Sequence, residues 1–134
     1  MLILDGEIAI FDSQLISRFE WLRARPKHDV STPPIYMGFD VLKLNGEDLR
    51  MLPLRERRQA LEQLVADRQL IISARGLQAD GLEAWNEVLR HNYEGMVAKD
   101  PASGYTPGRT LSWLKVKQKG YRQEARGFHQ RVRR

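Results

Sequence analysis

The chain has 134 residues, 42% hydrophobic and 29% charged, which is enough for one hydrophobic core and too short for two full domains. It contains no cysteine, so disulfides, thiolate metal sites and cysteine nucleophiles are excluded. The net charge of +5 suits an anionic partner such as a nucleotide or nucleic acid, but much of the excess lies between Lys115 and Arg134, where a solvated basic terminus explains it equally well.

The first residues predict neither export nor membrane insertion. Met1 precedes a short apolar run, residues 2–4, and then Asp5 and Glu7, which is not the basic and apolar pattern of a leader. No stretch reaches the about 18 apolar residues that a membrane-spanning helix needs. We therefore expect a cytoplasmic protein.

The first 50 residues predict a strand, a short helix and a second strand. Residues 2–11 are rich in β-forming side chains, with the acidic group Asp5-Gly6-Glu7 in the middle. Residues 17–25 have the spacing of a short helix and precede a proline-rich loop. Residues 35–44 favour a second strand, and Asn45-Gly46 is typical of the turn that ends it.

An amphipathic helix is predicted after Pro53, because proline is favoured in the first turn of a helix. Its apolar side chains lie close to one face: Leu54, Leu61, Leu64 and Val65. Its charged side chains are assigned to the other face: Arg55, Glu56, Arg57, Arg58 and Glu62. This pattern is typical of a surface helix, so we expect all of these charges to face solvent.

The second half of the chain predicts three further strands and one helix. A short strand at residues 70–72 is followed by Asp80, a helix N-cap with Glu83 at the capping-box spacing. The buried stripe of this helix is expected to be Leu82, Trp85, Val88 and Leu89. Residues 95–99 and 113–116 favour two strands, separated by a loop rich in glycine and proline.

These elements alternate, but the helices are too few to cover both faces of a doubly wound sheet. Several connections also look like hairpins or loops. We therefore predict an α+β fold with mainly antiparallel sheets and flanking helices.

Short segments on the predicted strands place charges in an otherwise apolar frame. They are Leu4–Glu7, Gly38–Val41, Glu94–Lys99 and Trp113–Lys117. A charge that faces the core is costly unless it is paired, so such charges line a cleft or lie on a solvated sheet face. The repetition of this pattern in one small domain favours a shared cleft.

Some of these residues are candidate ligands. Lys115 and Lys117 are two apart, so a strand places both on one face, either to bind a phosphate or as a solvated edge. Glu7 and Glu94 suit Mg²⁺, which takes one or two carboxylates plus substrate phosphates. Phe39 can stack on a purine or pack in the core.

In order, these segments resemble the motifs of the covalent nucleotidyltransferase superfamily, which includes ATP-dependent DNA ligases, RNA ligases and mRNA capping enzymes. The matches to motifs III, IIIa, IV and V are, in turn, Leu4–Glu7, Tyr36–Asp40, Glu94–Lys99 and Trp113–Lys117. Bacterial and archaeal DNA ligases are the most similar group, because Leu44–Leu49 and Ser103–Arg109 also resemble their connecting segments.

The resemblance implies a partial adenylation domain of the nucleotidyltransferase, ATP-grasp-like fold over residues 1–119 and a basic C-terminal tail over residues 120–134. It implies ATP and Mg²⁺ or Mn²⁺ as cofactors and nicked DNA as partner. The implied activity is nick sealing through lysyl-AMP and DNA-adenylate, in DNA repair, recombination or replication.

The implied ATP-binding residues lie on the predicted strands: Glu7, Phe39, Lys99, Lys115 and Lys117. By the same resemblance, Phe39 stacks on adenine, and Lys115 and Lys117 bind the α-phosphate. Glu94 is implied to hold the metal ion, Glu7 to contact the ribose or the metal, and Lys99 to support the site from motif IV.

The nucleophile of the family is a lysine in a Lys-x-Asp-Gly motif several tens of residues before motif III, and only six residues precede Glu7 here. The segment Lys27-His28-Asp29-Val30 lacks the glycine and follows motif III, so we interpret it as a coincidence. After motif V, the 15 residues of the basic tail do not resemble the oligonucleotide-binding domain that follows this motif in the family, so we expect the chain to lack it. We therefore expect a fragment that does not ligate alone, is marginally stable and is completed by a second polypeptide.

Two other hypotheses stay open. The chain can be a non-catalytic nucleotide- or nucleic-acid-binding module that uses its basic tail, in which case DNA binding weakens steeply with salt. It can also be related to RNA ligases or capping enzymes, which share the pocket. Once the missing segment is supplied, a comparison of nick sealing on RNA with nick sealing on DNA would distinguish that group from the DNA ligases.

Overall fold

The computed structural model describes residues 1–24, 32–77 and 80–121. The segment Lys27-His28-Asp29-Val30 and the basic tail after Tyr121 lie outside the described residues. Within the described ranges, two β-sheets are accompanied by two α-helices and a short 3-10 helix, Phe19–Leu22. The α+β prediction is confirmed, whereas the helix expected over residues 17–25 is reduced to that single 3-10 turn.

The larger sheet is organised around its longest strand. Strand β1 (Ile3–Ala9) pairs antiparallel with β2 (Ile35–Leu44), and β2 pairs antiparallel with β3 (Glu47–Asp48) and parallel with β4 (Ile71–Ser73). The hairpin between β2 and β3 closes at Asn45 and Gly46, whose φ angles are 52° and 94°. Two positive φ angles are the geometry of a type I′ turn, which is why this dipeptide marks the end of the strand.

Helix α1 (Leu54–Val65) covers this sheet and supplies half of the core, in which Leu61 and Val65 pack with Val41 and Leu49. The expectation that all its charges face solvent is wrong for Arg57, whose side chain is fully buried. Residue 57 lies three positions after Leu54 and four before Leu61, so it belongs to the buried stripe of the helix.

The smaller sheet is an antiparallel pair formed by β5 (Gly95–Lys99) and β6 (Trp113–Lys117), with helix α2 (Gly81–Arg90) packed against β5. Asp80 is confirmed as the N-cap of α2, since its side chain accepts hydrogen bonds from the backbone N–H groups of Leu82 and Glu83, each 2.9 Å long.

The buried stripe of α2 agrees only in part with the prediction. Val88 is confirmed as buried, together with Ala84, and Trp85 is half-buried, whereas Leu82 and Leu89 are 71% and 48% exposed. Ala84 and Val88 are one helical turn apart and face β5, and the two-stranded sheet is too narrow to cover the leucines on either side. Neither α1 nor α2 is long and apolar enough to cross a membrane, and the same holds for every helix within the described ranges.

Candidate functional site

A cleft of about 1050 Å³ is lined by strands of both sheets and by α2. Five of the predicted site residues line it together: Phe39, Glu94, Lys99, Lys115 and Lys117. Glu7 is exposed on β1 and is not among the lining residues, although its cross-strand partner Met37 is. The structure thus brings the segments from β2, β5 and β6 to one place and leaves Glu7 beside it.

Phe39 lines the cleft from a β-bulge in β2. Asp5 pairs with Asp40 and Gly6 pairs with Gly38, which leaves Phe39 as the extra residue of β2. Met37 and Phe39 line the cleft, whereas a Cβ on Gly38 would meet Leu61 of α1 and Asp40 is fully buried, so the two faces of β2 alternate here as in a regular strand. Gly6 is required opposite the bulge, because a Cβ at that position would lie 2.3 Å from the carbonyl oxygen of Met37.

Lys99 lies between two aromatic rings at the floor of the cleft. Its Nζ is 4.0 Å from the ring centroid of Trp113 and 5.9 Å from that of Phe39. A cation over an aromatic face is stabilised by the ring quadrupole. Burial nevertheless lowers the pKa of Lys99 from its ordinary value, and the carboxylate of Asp40 opposes that shift. The cleft therefore holds a partly desolvated cation against its aromatic wall.

Lys115 and Lys117 both line the cleft, as expected for side chains two positions apart on one strand. The ammonium group of Lys117 contacts the carboxylate of Glu94, and this hydrogen bond lowers the pKa of Glu94, with a further contribution from the charges of both lysines. Lys115 forms no salt bridge with any residue that the structure describes. Its charge is thus available to an anionic ligand.

The cleft offers few carboxylates that could bind a divalent ion. No group of three or more potential protein ligands is found within residues 1–24, 32–77 and 80–121. Glu94 and Asp5 line the cleft, and the phenol of Tyr105 donates a 3.4 Å hydrogen bond to Asp5. This donor set fits Mg²⁺ or Mn²⁺ only in the mode where one or two carboxylates act together with phosphate oxygens of a substrate.

Three cleft residues were not singled out from the sequence. Asp5 and Trp113 lie within the motif segments Leu4–Glu7 and Trp113–Lys117, but nothing in the sequence assigned either side chain to the site individually. Arg58 was assigned to solvent, and its guanidinium instead donates to the carbonyl oxygen of Phe39 at 3.3 Å while lining the cleft. The signal that could have found Arg58 is its position four residues after Leu54 and three before Leu61, which places it beside the apolar face of α1.

The cleft can bind a ligand that combines a flat apolar ring with negative charge. Phe39, Met37 and Met96 supply apolar surface, and the ammonium groups lie along β5 and β6. Aromatic stacking contributes about 1 to 3 kcal/mol per base, and charge-assisted hydrogen bonds to phosphate are the stronger class. A nucleoside phosphate has both features.

Comparison with known proteins agrees with this chemistry. Residues 1–117 match the family model described as "ATP dependent DNA ligase domain". The chain is 36% identical over 116 residues to the multifunctional non-homologous end joining protein LigD of Mycolicibacterium smegmatis, covering 86% of the chain and 15% of that protein. It is 38% identical over 132 residues to a DNA ligase of Natronomonas pharaonis, covering 86% of the chain and 23% of that ligase.

Solved structures show the same likeness. The ligase domain of LigD from M. tuberculosis superposes with a TM-score of 0.72 at 33% identity, covering 87% of this chain and 37% of that one. A mycobacterial DNA ligase D complexed with ATP and MES superposes with a TM-score of 0.73 at 32% identity, covering 87% of this chain and 38% of that one. The chain thus spans well under half the length of these relatives.

Proposed function

The chain belongs to the ATP-dependent DNA ligase domain family, and we propose that it supplies the ATP-binding cleft of a DNA-joining enzyme. The observation that carries the proposal is the convergence of one aromatic side chain and several ammonium groups on a single cleft: Phe39, Lys99, Lys115 and Lys117. A solved relative complexed with ATP supports the same ligand.

Within this proposal, the adenine ring stacks on Phe39, which lines the cleft from β2 together with Met37. Lys115 and Lys117 contact the α-phosphate from β6, and Lys99 adds charge from the paired strand β5. Their role is to neutralise the charge that develops as the α-phosphorus becomes five-coordinate.

The metal ion, Mg²⁺ or Mn²⁺, is proposed to bind Glu94 together with phosphate oxygens. Lys117 lowers the pKa of Glu94 below its ordinary value of 4.5, so this carboxylate stays charged to lower pH than a free glutamate. A bound ion would replace Lys117 as the counter-charge of this carboxylate and release the lysine for the phosphate. Glu7 is proposed to reach the ribose or the metal from the neighbouring strand, beside Met37.

The proposed reaction of the whole enzyme has three steps. A lysine amine forms a bond to the α-phosphorus of ATP while the bond to pyrophosphate breaks; the AMP then passes to a 5′-phosphate at a nick, and a 3′-hydroxyl displaces it. The 134 residues contain no Lys-x-Asp-Gly segment, so we propose that this lysine comes from a further polypeptide segment that completes the cleft.

Intact-mass analysis after incubation with ATP and Mg²⁺ tests the proposal, with and without a polypeptide that carries the Lys-x-Asp-Gly segment. We expect an AMP adduct on the added polypeptide and none on this chain alone. An adduct on this chain alone would identify one of its own lysines, such as Lys27, as the nucleophile. ATP binding without any adduct would instead favour a non-catalytic nucleotide-binding module, and no ATP binding would reject the cleft as the site.

A further inference from the structure

A buried ion pair lies behind the aromatic wall of the cleft. The Arg57 guanidinium on α1 donates from Nε to Asp40 Oδ1 at 2.9 Å and from Nη2 to Asp40 Oδ2 at 2.8 Å. Both side chains are 0% exposed, and the backbone N–H of Val41 also donates to Asp40 Oδ1 at 2.9 Å. This bidentate geometry is the strong and directional form of an ion pair, so it fixes α1 against β2.

The remaining nitrogen of Arg57 contacts the segment before α1 and the loop of the smaller sheet. Nη1 donates to the carbonyl oxygens of Leu52 and Ser103, the latter at 3.1 Å. Ser103 belongs to the loop that joins β5 to β6. One guanidinium therefore connects β2, the start of α1 and the loop of the smaller sheet.

The same loop caps the first turn of α1. Pro53, the N-cap residue, makes no side-chain capping hydrogen bond. Instead, the N–H of Leu54 donates to the carbonyl oxygen of Ser103 at 2.8 Å, and that of Arg55 donates to Pro101 at 3.0 Å. The first N–H groups of a helix need external acceptors, and here the loop provides them. The N–H of Tyr105 also donates a 2.7 Å hydrogen bond to the carbonyl oxygen of Arg50, which holds the loop at a second point.

The hydrogen bonds of Arg57 and of the first turn of α1 join the two proposed halves of the ATP site, namely the wall with the adenine-stacking residue and the wall with the phosphate-binding lysines. Asp40 directly follows Phe39, the proposed adenine-stacking residue, and the loop runs from Lys99 on β5 to the lysines on β6. We propose that Arg57 is a positioning residue that sets the distance between the adenine-stacking wall and the phosphate-binding wall. It touches no ligand in this role, and the inference rests on the proposed ATP-binding function of the cleft.

The test compares ATP with adenosine, which lacks phosphates. The R57K variant keeps a positive charge but has one nitrogen in place of three, so it cannot bond both oxygens of Asp40 and reach the loop. We expect the Kd for ATP with Mg²⁺ to rise about tenfold while that for adenosine changes less than about twofold. R55K is the matched control, since Arg55 lies in the same turn with an exposed side chain, and both affinities should be unchanged.

A second readout needs no ligand. An NMR nuclear Overhauser contact between the Lys99 side chain and the Phe39 ring spans the two walls, since Lys99 Nζ lies 5.9 Å from the centroid of that ring. The contact between Lys99 and Trp113, 4.0 Å apart, lies within the smaller sheet. In R57K, we expect the first contact to weaken and the second to persist, which distinguishes a displaced sheet from a generally loosened fold.

G104A provides an independent variant if R57K does not fold. A Cβ on Gly104 would lie 3.2 Å from the carbonyl oxygen of Arg50, so the loop or the Arg50 backbone must shift by a few tenths of an ångström while both members of the ion pair keep their side chains. The same selective loss of ATP binding is expected. If folded R57K or G104A weakens ATP and adenosine equally, or neither, the positioning role is wrong while the ATP site stands. If the unmodified chain binds no ATP, the proposed function fails and the inference fails with it.

Discussion

The ammonium group of Lys99 lies 4.0 Å from the ring centroid of Trp113, its cross-strand partner in the smaller sheet. A cation–π contact of this kind contributes about 0.5 to 2 kcal/mol, yet burial still lowers the pKa of Lys99. The environment as a whole therefore disfavours the charged form. A desolvated cation without full compensation is typical of a residue kept for binding and not for stability.

Replacing Lys99 with methionine should separate these two roles. Methionine retains the apolar stem and removes the charge, so we expect K99M to be more stable by up to about 1 kcal/mol and to bind ATP more weakly. Because the lowered pKa means that the unfolded chain binds the proton more tightly, the stability of the unmodified chain should rise with pH between the lowered pKa and the ordinary lysine value of 10.5. Thermal unfolding of both proteins over that range measures this, and a K99M that is less stable at neutral pH would contradict it.

Lys115 should matter for the phosphates and not for the base. Removing one charge-assisted contact costs about 1.5 to 3 kcal/mol, so K115A should weaken ATP binding by roughly tenfold or more and leave adenosine binding unchanged. Calorimetric titration of both ligands measures the difference. K43A on β2 is the control, because Lys43 does not line the cleft. Equal losses in K115A and K43A would show only a general effect of net charge.

Glu94 should carry the dependence of ATP binding on the divalent ion. In E94Q the neutral amide is a poor ligand for Mg²⁺, so we expect ATP to bind this variant with similar affinity whether Mg²⁺ is present or replaced by a chelator. The unmodified chain should bind ATP more tightly with Mg²⁺. E47Q is the control, since Glu47 is exposed on β3 away from the cleft. A full Mg²⁺ effect in E94Q would assign the ion to other groups.

The contact between Glu94 and Lys117 also predicts a pH dependence of stability. The pKa of Glu94 is lowered in the folded chain, so the pair stabilises the fold above the ordinary glutamate value of 4.5 and the contribution is lost as pH falls through the lowered pKa. The effect should be small, because both side chains are about half exposed. Denaturant unfolding of the unmodified chain and E94Q should differ at neutral pH and converge in acid; a gap that widens in acid would reverse the sign.

The bulge opposite Gly6 should be intolerant of any side chain. A Cβ would lie 2.3 Å from the carbonyl oxygen of Met37 and 2.9 Å from the Tyr36 ring, so G6A must separate β1 from β2. Overpacking of this kind costs about 1 to 3 kcal/mol, and we expect both lower stability and weaker ATP binding through displacement of Phe39. G76A is the control for stability alone, because nothing lies within 4 Å of a Cβ built on Gly76, whereas Gly76 itself lines the cleft. Equal melting temperatures for the two variants would refute the steric argument.

The sequence alone determined the elements whose signals are local. Strand β2 begins and ends as predicted, the turn at Asn45-Gly46 has the positive φ angles that the dipeptide favours, and Asp80 caps α2. The two lysines of β6 share a face because strand geometry has a period of two residues. Each of these features depends on residues only a few positions away in the sequence, so local sequence is enough to predict it.

The tertiary structure decided which side chains are buried and which meet in the cleft. Arg57 was assigned to solvent and is fully buried because Asp40, seventeen residues earlier, is its partner. Phe39 shares the cleft-lining face of β2 with Met37, and it is the packing of α1 on the opposite face that decides which face borders the cleft. Glu7 lies outside the cleft lining although its cross-strand partner Met37 belongs to it. Burial, pairing and cleft geometry depend on which distant segments pack together, and side-chain patterns along one strand or helix do not contain that information.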